Sequence, residues 1–359
     1  MTPLTALLFL LTTASAATLW VPTTPQTPQP YAVKNGHGLP LGGGNTFPVT
    51  GNSSAGAFCI LNTNAAGSFS VSPGLFPHVH KKTYENFYAF KGRVQLWGQN
   101  VDTFRANTSV QTTRILSQGD IGAIPPNTIH TFTLLEPDTQ LTGVLVPGGF
   151  EEFFFNMAVN PAGGLPGAGG FDIEGLAKWD VYPELGFVPR RDVVNGKAGP
   201  GNWYDGVNAL PGNMDNPIWV AKNYGPRWLS EEGGRYQIVA PFVRGQETDG
   251  TFSQGTITIG VQKGSAPGVK SQVATAFMVE EGELEVRVEG YDAVRLVWGD
   301  VVFVPPGVGF EYESKAEFTK MMYVTGGGKG LDWELIEKGR VWNSAFFPRS
   351  QAGGKMMRI

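Results

Sequence analysis

Three of the four histidines in this 359-residue chain fall in two short segments whose spacing suits a metal ion. The first, Gly74 to Gly92, reads GLFPHVHKKTYENFYAFKG and places His78, His80 and Glu85 close together. Side chains two apart on a strand leave by the same face, so both imidazoles can aim into one space. The same alternation sets Glu85, Phe87 and Ala89 on one face of the next strand, bringing a carboxylate and a ring to that space. The second segment, GDIGAIPPNTIHTF, supplies His130 after a strand punctuated by Gly119 and Pro125-Pro126. Three neutral imidazoles and a carboxylate suit copper, iron, nickel, manganese or zinc, and geometry decides among them more than residue type does. Glu85 has two roles open to it. It is either a fixed ligand or one that swings off to accept a proton, and the second needs a pKa raised towards neutrality by apolar walls. Lone histidines beside charges such as Lys81 and Lys82 usually belong to a solvated face, but four residues at this spacing favour a metal centre.

Both segments resemble the two motifs of the cupin superfamily: His-x-His, four residues, Glu, six residues, Gly; then Gly, five residues, Pro, and His five on. Asn127 and Leu134 stand where the second motif usually has Gly and Asn, and neither touches a ligand. The resemblance implies an all-β fold of double-stranded β-helix, or jelly-roll, barrels. Residues 49–150 agree, because AFCILNT, RVQLWGQ, TTRILS, DIGAIP, HTFTLLE and TGVLVPG are short strand-like runs separated by turn signals. EEFFFNMAV, residues 151–159, is the first candidate helix.

The second half repeats the first. A slide of 190 residues sets Val79, Phe87 and Gly92 over Val269, Phe277 and Gly282, and a slide of 180 sets Gly119, Asp120 and both prolines over Gly299, Asp300, Pro305 and Pro306. Two barrels from one duplicated unit follow. Beneath His78, His80, Glu85 and His130 lie Gly268, Lys270, Thr275 and Phe310, so the second barrel has lost every ligand and reads as structural. The expected organisation is a leader at 1–16, an N-terminal cupin barrel with the metal site at 17–160, a linker at 161–215 and a C-terminal barrel at 216–348. Residues 18–48, rich in Pro and Gly, read as an extended arm lying over a domain, and His37 within it as a solvated loop residue.

Composition fits this picture. The chain is too long for one core, and 41% hydrophobic residues with 12% aromatic is globular usage. A formal net charge of -4 without long basic runs leaves no footprint for nucleic acid or an anionic membrane. PLTALLFLLTTASA is too short to span a bilayer and ends in Ala14-Ser15-Ala16, so it reads as a secretory signal peptide and the protein as extracellular. The single cysteine, Cys59, excludes an intrachain disulfide and reads as a buried small hydrophobe. Asn52 and Asn107 head glycosylation sequons.

Beyond the cupin motifs, the chain resembles the fungal quercetin 2,3-dioxygenase family of secreted copper bicupins. YENFY with QLWGQ, TGVLVPGGFE, WDVYPELGFVPR with VVNG, NALPG, YGPRWL and YQIVAPFV carry the likeness across most of residues 45–345. The resemblance implies one Cu2+ held by His78, His80, Glu85 and His130. It implies that Glu85 takes the 3-hydroxyl proton of a flavonol, and that O2 then opens the ring to a depside and carbon monoxide. It also implies a substrate wall of Thr63, Phe87, Phe132 and Phe150, with Leu61, Leu141, Leu145 and Asn45 departing from the family at other lining positions. Two other readings stand beside it: a manganese cupin acting on oxalate or a similar small acid, with an arginine near the metal, and a non-catalytic binding or storage bicupin. The chain is expected as a monomer or a homodimer.

Overall fold

The strand-like runs of the first half build two facing antiparallel sheets, as their period of two demands. In the computed structural model, which describes residues 17–42, 44–65, 76–109, 111–159, 173–190, 208–232, 235–260, 268–344 and 348, one sheet carries five strands. Their order is Tyr182–Pro183, His78–Val79, Thr128–Leu134, Val94–Asn100, Thr112–Leu116. The opposing sheet has seven, ordered Ile218–Val220, Ile121–Ile124, Tyr84–Lys91, Gln140–Val146, Cys59–Asn64, Asn45–Val49, Leu39–Gly42. The expected leader at 1–16 and much of the expected linker, including 161–172 and 191–207, lie outside the described residues.

The second half repeats this plan with sheets of eight and four strands. Tyr31–Val33, Val301–Val304, Thr275–Glu281, Phe318–Gly326 and Phe252–Gly260 follow one another in its larger sheet. The all-β reading with two cupin barrels therefore holds, and EEFFFNMAV forms the helix Glu151–Val159. Gly92 and Gly282, equivalent in the repeat, both adopt left-handed backbone, with φ of 71° and 81°. A side chain at Gly92 would run into Thr139, so glycine is required twice over. In the second half Val269 stands opposite Phe310 where His78 stands opposite His130. The register is thus one residue on from the slide that set Gly268 beneath His78.

Two short strands cross between the halves. Tyr31–Val33, expected as part of an arm lying on the surface, pairs with Val301–Phe303 and becomes the edge of the C-terminal sheet. Ile218–Val220, counted by sequence with the C-terminal barrel, pairs with Ile121–Ala123 of the N-terminal one. Sheet membership therefore departs at these edges from the divisions at 17–160 and 216–348. The larger sheets also pack back to back: Tyr88, Phe90, Val144 and Ile121 from one join Met278, Val301, Met322 and Val324 from the other in one buried cluster. Asn86 donates to Gln254 across this interface at 2.8 Å. The strand Tyr84–Lys91 thus faces the other barrel with Tyr88 and Phe90 while Glu85, Phe87 and Ala89 face its own interior, so Glu85 to Phe90 are buried without a break.

Candidate metal centre and its surroundings

The site lies between the two N-terminal sheets. His78 and His130 sit directly opposite each other on neighbouring strands of the five-stranded sheet, and His80 follows at the strand end. Glu85 comes from the facing sheet. The four residues are all buried, and one ligand atom from each lies within 4.8 Å of all the others. All four residues expected as ligands are therefore brought together.

The hydrogen bonds around the imidazoles fix which nitrogen faces the centre. Nδ1 of His78 lies 2.9 Å from the Phe76 carbonyl, Nδ1 of His130 2.9 Å from the Thr128 carbonyl, and Nδ1 of His80 2.6 Å from the Asp180 carbonyl. A carbonyl only accepts, so each Nδ1 carries a proton, and in the neutral ring each Nε2 presents a lone pair inward. Glu85 Oε2 is 3.1 Å from Nε2 of His80, 2.9 Å from Nε2 of His130 and 3.9 Å from Nε2 of His78. Nε2 of His78 is buried with no hydrogen-bond partner. Four acceptors thus converge on one point, an arrangement that repels itself unless a cation sits among them.

Electrostatics point the same way. Burial, reinforced by repulsion from the His130 and His80 imidazoles, holds the His78 pKa well below its ordinary value and keeps the ring neutral. Burial pushes the Glu85 carboxyl up, but in the metal-free site hydrogen bonds from His130 and His80, which need a proton on Nε2, outweigh it and hold the group far below the usual carboxylate range. Neutral imidazole and ionised carboxylate are the forms that bind metal.

Of the residues the family resemblance placed on a substrate wall, three lie near the centre. Phe87 has its ring centroid 5.7 Å from that of His130 and 5.6 Å from that of Phe132, and Phe150 meets His80 edge-on at 4.9 Å. Thr63, half-buried, stands across Leu141 from Ala89, one inward-facing position beyond Phe87. Leu61 and Leu145 share a buried cluster with Phe150, and Leu141 one with Phe87. Asn45 instead accepts a hydrogen bond from the Asn64 backbone at 2.9 Å. Cys59, level with Glu85 across Leu145, is fully buried as expected, and burial raises its thiol pKa well above the ordinary value. His37 is exposed.

Two features of the site escaped sequence reasoning. Gly143 lies opposite Phe87 on the inward face, where an added methyl would sit in ordinary van der Waals contact with Leu145, at 3.7 Å, and Leu61. Asp180 comes from the segment expected as linker; WDVYPELGF contributed to the family likeness, but nothing in its spacing announces a partner for His80. In the second barrel, Phe277, Phe310 and Tyr312 form a ring cluster at the corresponding positions, with centroids 5.6 to 6.2 Å apart.

No family model matches the chain. It is 41% identical over 326 residues to the quercetin 2,3-dioxygenase of Aspergillus japonicus, covering 84% of this chain and 89% of that protein. It is 28% identical over 130 residues to the quercetin 2,3-dioxygenase of Bacillus subtilis (strain 168), covering 35% of this chain and 34% of that one. Among solved structures, an oxalate decarboxylase mutant from Bacillus subtilis aligns with a TM-score of 0.47 at 14% identity, covering 79% of this chain and 73% of that one. The Lactobacillus farciminis oxalate decarboxylase in its formate complex aligns with a TM-score of 0.47 at 12% identity, covering 79% and 81%. The extent and level of the Aspergillus match, over a barrel whose four ligands converge, show that the chain belongs to the quercetin 2,3-dioxygenase family.

Proposed function

We propose that this ring-cleaving dioxygenase acts on flavonols such as quercetin with O2, giving a depside and carbon monoxide, and that its metal is one Cu2+ in the N-terminal barrel. The observation that carries the reading is the convergence of three Nε2 atoms and a carboxylate oxygen on one buried point. His78, His80, Glu85 and His130 would hold the ion. Bound there, Cu2+ supplies Lewis acidity towards the substrate 3-hydroxyl and an electron acceptor that lets triplet O2 add to the deprotonated flavonol.

The chain's own residues do the rest. Glu85 takes the 3-hydroxyl proton, and its burial favours the protonated carboxyl that results. Phe87, Phe132 and Phe150 give flat rings a surface to stack on or meet edge-on, and Gly143 adds no side chain to that wall. A small-acid reading calls for an arginine at the metal. Arg93 instead pairs with Glu136 and Arg105 with Glu184, both from exposed positions on the barrel. A storage role gives no reason for an intact ligand set in one barrel.

We further infer secretion from the apolar leader at 1–16, with glycans on Asn52 and Asn107, which are both exposed. Among the described residues no helix is long and apolar enough to cross a membrane. The test is direct: assay bound metal in the purified protein, add quercetin under O2, and follow the flavonol absorption band and carbon monoxide. Copper-dependent bleaching with carbon monoxide release is expected. Turnover of oxalate with manganese, or no turnover with any metal, overturns the reading.

A further inference from the structure

We propose that Asp180, in the segment joining the two barrels, is a positioning residue for the metal centre: it grips His80 and the loop that separates His80 from Glu85. The inference rests on reading His78, His80, Glu85 and His130 as a metal site. Asp180 ends the short 3-10 turn Ala177–Trp179 in left-handed backbone, φ 60° and ψ 29°. That conformation turns its carbonyl and its carboxylate towards the same stretch of chain. The carbonyl takes the Nδ1 proton of His80 at 2.6 Å. The carboxylate accepts from the backbone N–H of Lys81 at 3.0 Å, of Lys82 at 2.9 Å and of Thr83 at 2.9 Å, and from the Thr83 hydroxyl at 3.0 Å.

Three consecutive N–H groups closing on one carboxylate make a rigid anion-holding turn, and bonds to an ionised acceptor are among the stronger ones. The turn connects two ligands, so its shape sets the distance from His80 to Glu85. Neighbouring contacts hold the segment in place. Tyr182 and Pro183 pair with Val79 and His78, the Glu184 N–H donates to the Pro77 carbonyl at 2.9 Å, and Lys81 Nζ lies 3.9 Å from the Tyr182 ring centroid.

The three imidazoles are not held alike. His78 and His130 find their carbonyls two residues back in their own segments, whereas the carbonyl for His80 lies 100 residues away. Metal affinity is therefore coupled to docking of the connector through one residue. Groups behind a ligating histidine commonly govern affinity, and losing one costs about 10- to 100-fold.

The test compares wild type with Asp180→Asn and Asp180→Gly, using Cu2+ as the probe. Both replacements tolerate left-handed backbone and keep the carbonyl that faces His80; towards the loop, the Asn side chain keeps one acceptor oxygen and Gly has none. Three quantities are measured: Cu2+ affinity by competition with a chelator, the Cu2+ electron paramagnetic resonance spectrum, and the unfolding midpoint without metal. The expected result is a loss of about tenfold in affinity for Asp180→Gly, where the carbonyl facing His80 remains but the loop loses its anion, a smaller loss for Asp180→Asn, and an altered nitrogen hyperfine pattern. If either folded variant binds Cu2+ as tightly as wild type with an unchanged spectrum, Asp180 is only a structural residue, whatever the change in midpoint. Should Asp180→Gly fail to fold, the same comparison with Asp180→Asn decides. A wild type that takes up neither Cu2+ nor Mn2+ overturns the metal-centre reading and this inference with it, whereas binding by wild type and variants alike overturns this inference alone.

Discussion

Stripped of metal, the protein should lose stability in mild acid, and His78 should account for a defined part of the loss. Burial and the neighbouring imidazoles hold its pKa well below the ordinary 6.5, so below that pH the unfolded chain takes up a proton that the folded chain refuses. Stability is present above pH 6.5 and falls as pH falls. For one such group the loss between roughly pH 7.5 and 5.5 is about 1.4 kcal/mol. Glu85 extends the trend: its folded pKa is also depressed, so below its ordinary 4.5 the unfolded chain takes up a further proton. That adds about 1.4 kcal/mol per pH unit. The assay is urea unfolding of chelator-treated wild type and His78→Gln at both pH values. Wild type should lose about 1 kcal/mol more than the variant, since groups away from the histidine cluster cancel in the comparison. Equal losses, or a wild type that gains stability in acid, would refute the picture of His78 as a neutral imidazole held for a cation. Saturating metal should steepen the dependence, because protons and metal compete for the same lone pairs.

Glu85→Gln keeps the shape of the fourth ligand but removes the base. Copper binding should weaken yet persist while flavonol turnover falls by about 100- to 10,000-fold, as rapid quercetin bleaching assays on the copper-loaded variant would show; activity near wild type would remove Glu85 from proton transfer. Gly143→Val adds a side chain opposite Phe87 without replacing a ligand. It should leave copper affinity intact and raise KM for quercetin, and an unchanged KM would mean that the ring lies elsewhere.

How much of this was legible from sequence depended on whether a residue acts through a repeated pattern or through a distant contact. His78, His80 and Glu85 were readable because strands alternate, and His130 because its strand is bracketed by Gly119 and two prolines. The duplicated barrel was readable because Gly92 and Gly282 must both turn left-handed. Asp180 was not, since its work is done by a backbone carbonyl and by bonds to the N–H groups of a loop far away in sequence. Gly143 was not, because its contribution is the absence of a side chain. Tyr31–Val33 and Ile218–Val220 were misassigned for another reason. Three-residue strands in Pro- and Gly-rich surroundings carry almost no periodicity, and their partners alone reveal which sheet they complete. The single-turn helices Gly51–Ser54 and Val101–Arg105 are likewise too short to leave a helical repeat.

The reciprocal placement of those two strands bears on any attempt to dissect the enzyme. A fragment ending before residue 216 would retain all four ligands yet leave Ile121–Ala123 without its neighbour, while the remaining fragment would leave Val301–Phe303 bare. Each piece would offer an unpaired rim to other chains, an invitation to aggregate. During synthesis, too, the segment at Tyr31 emerges long before the sheet that receives it, so the first half waits on the second before the molecule can close.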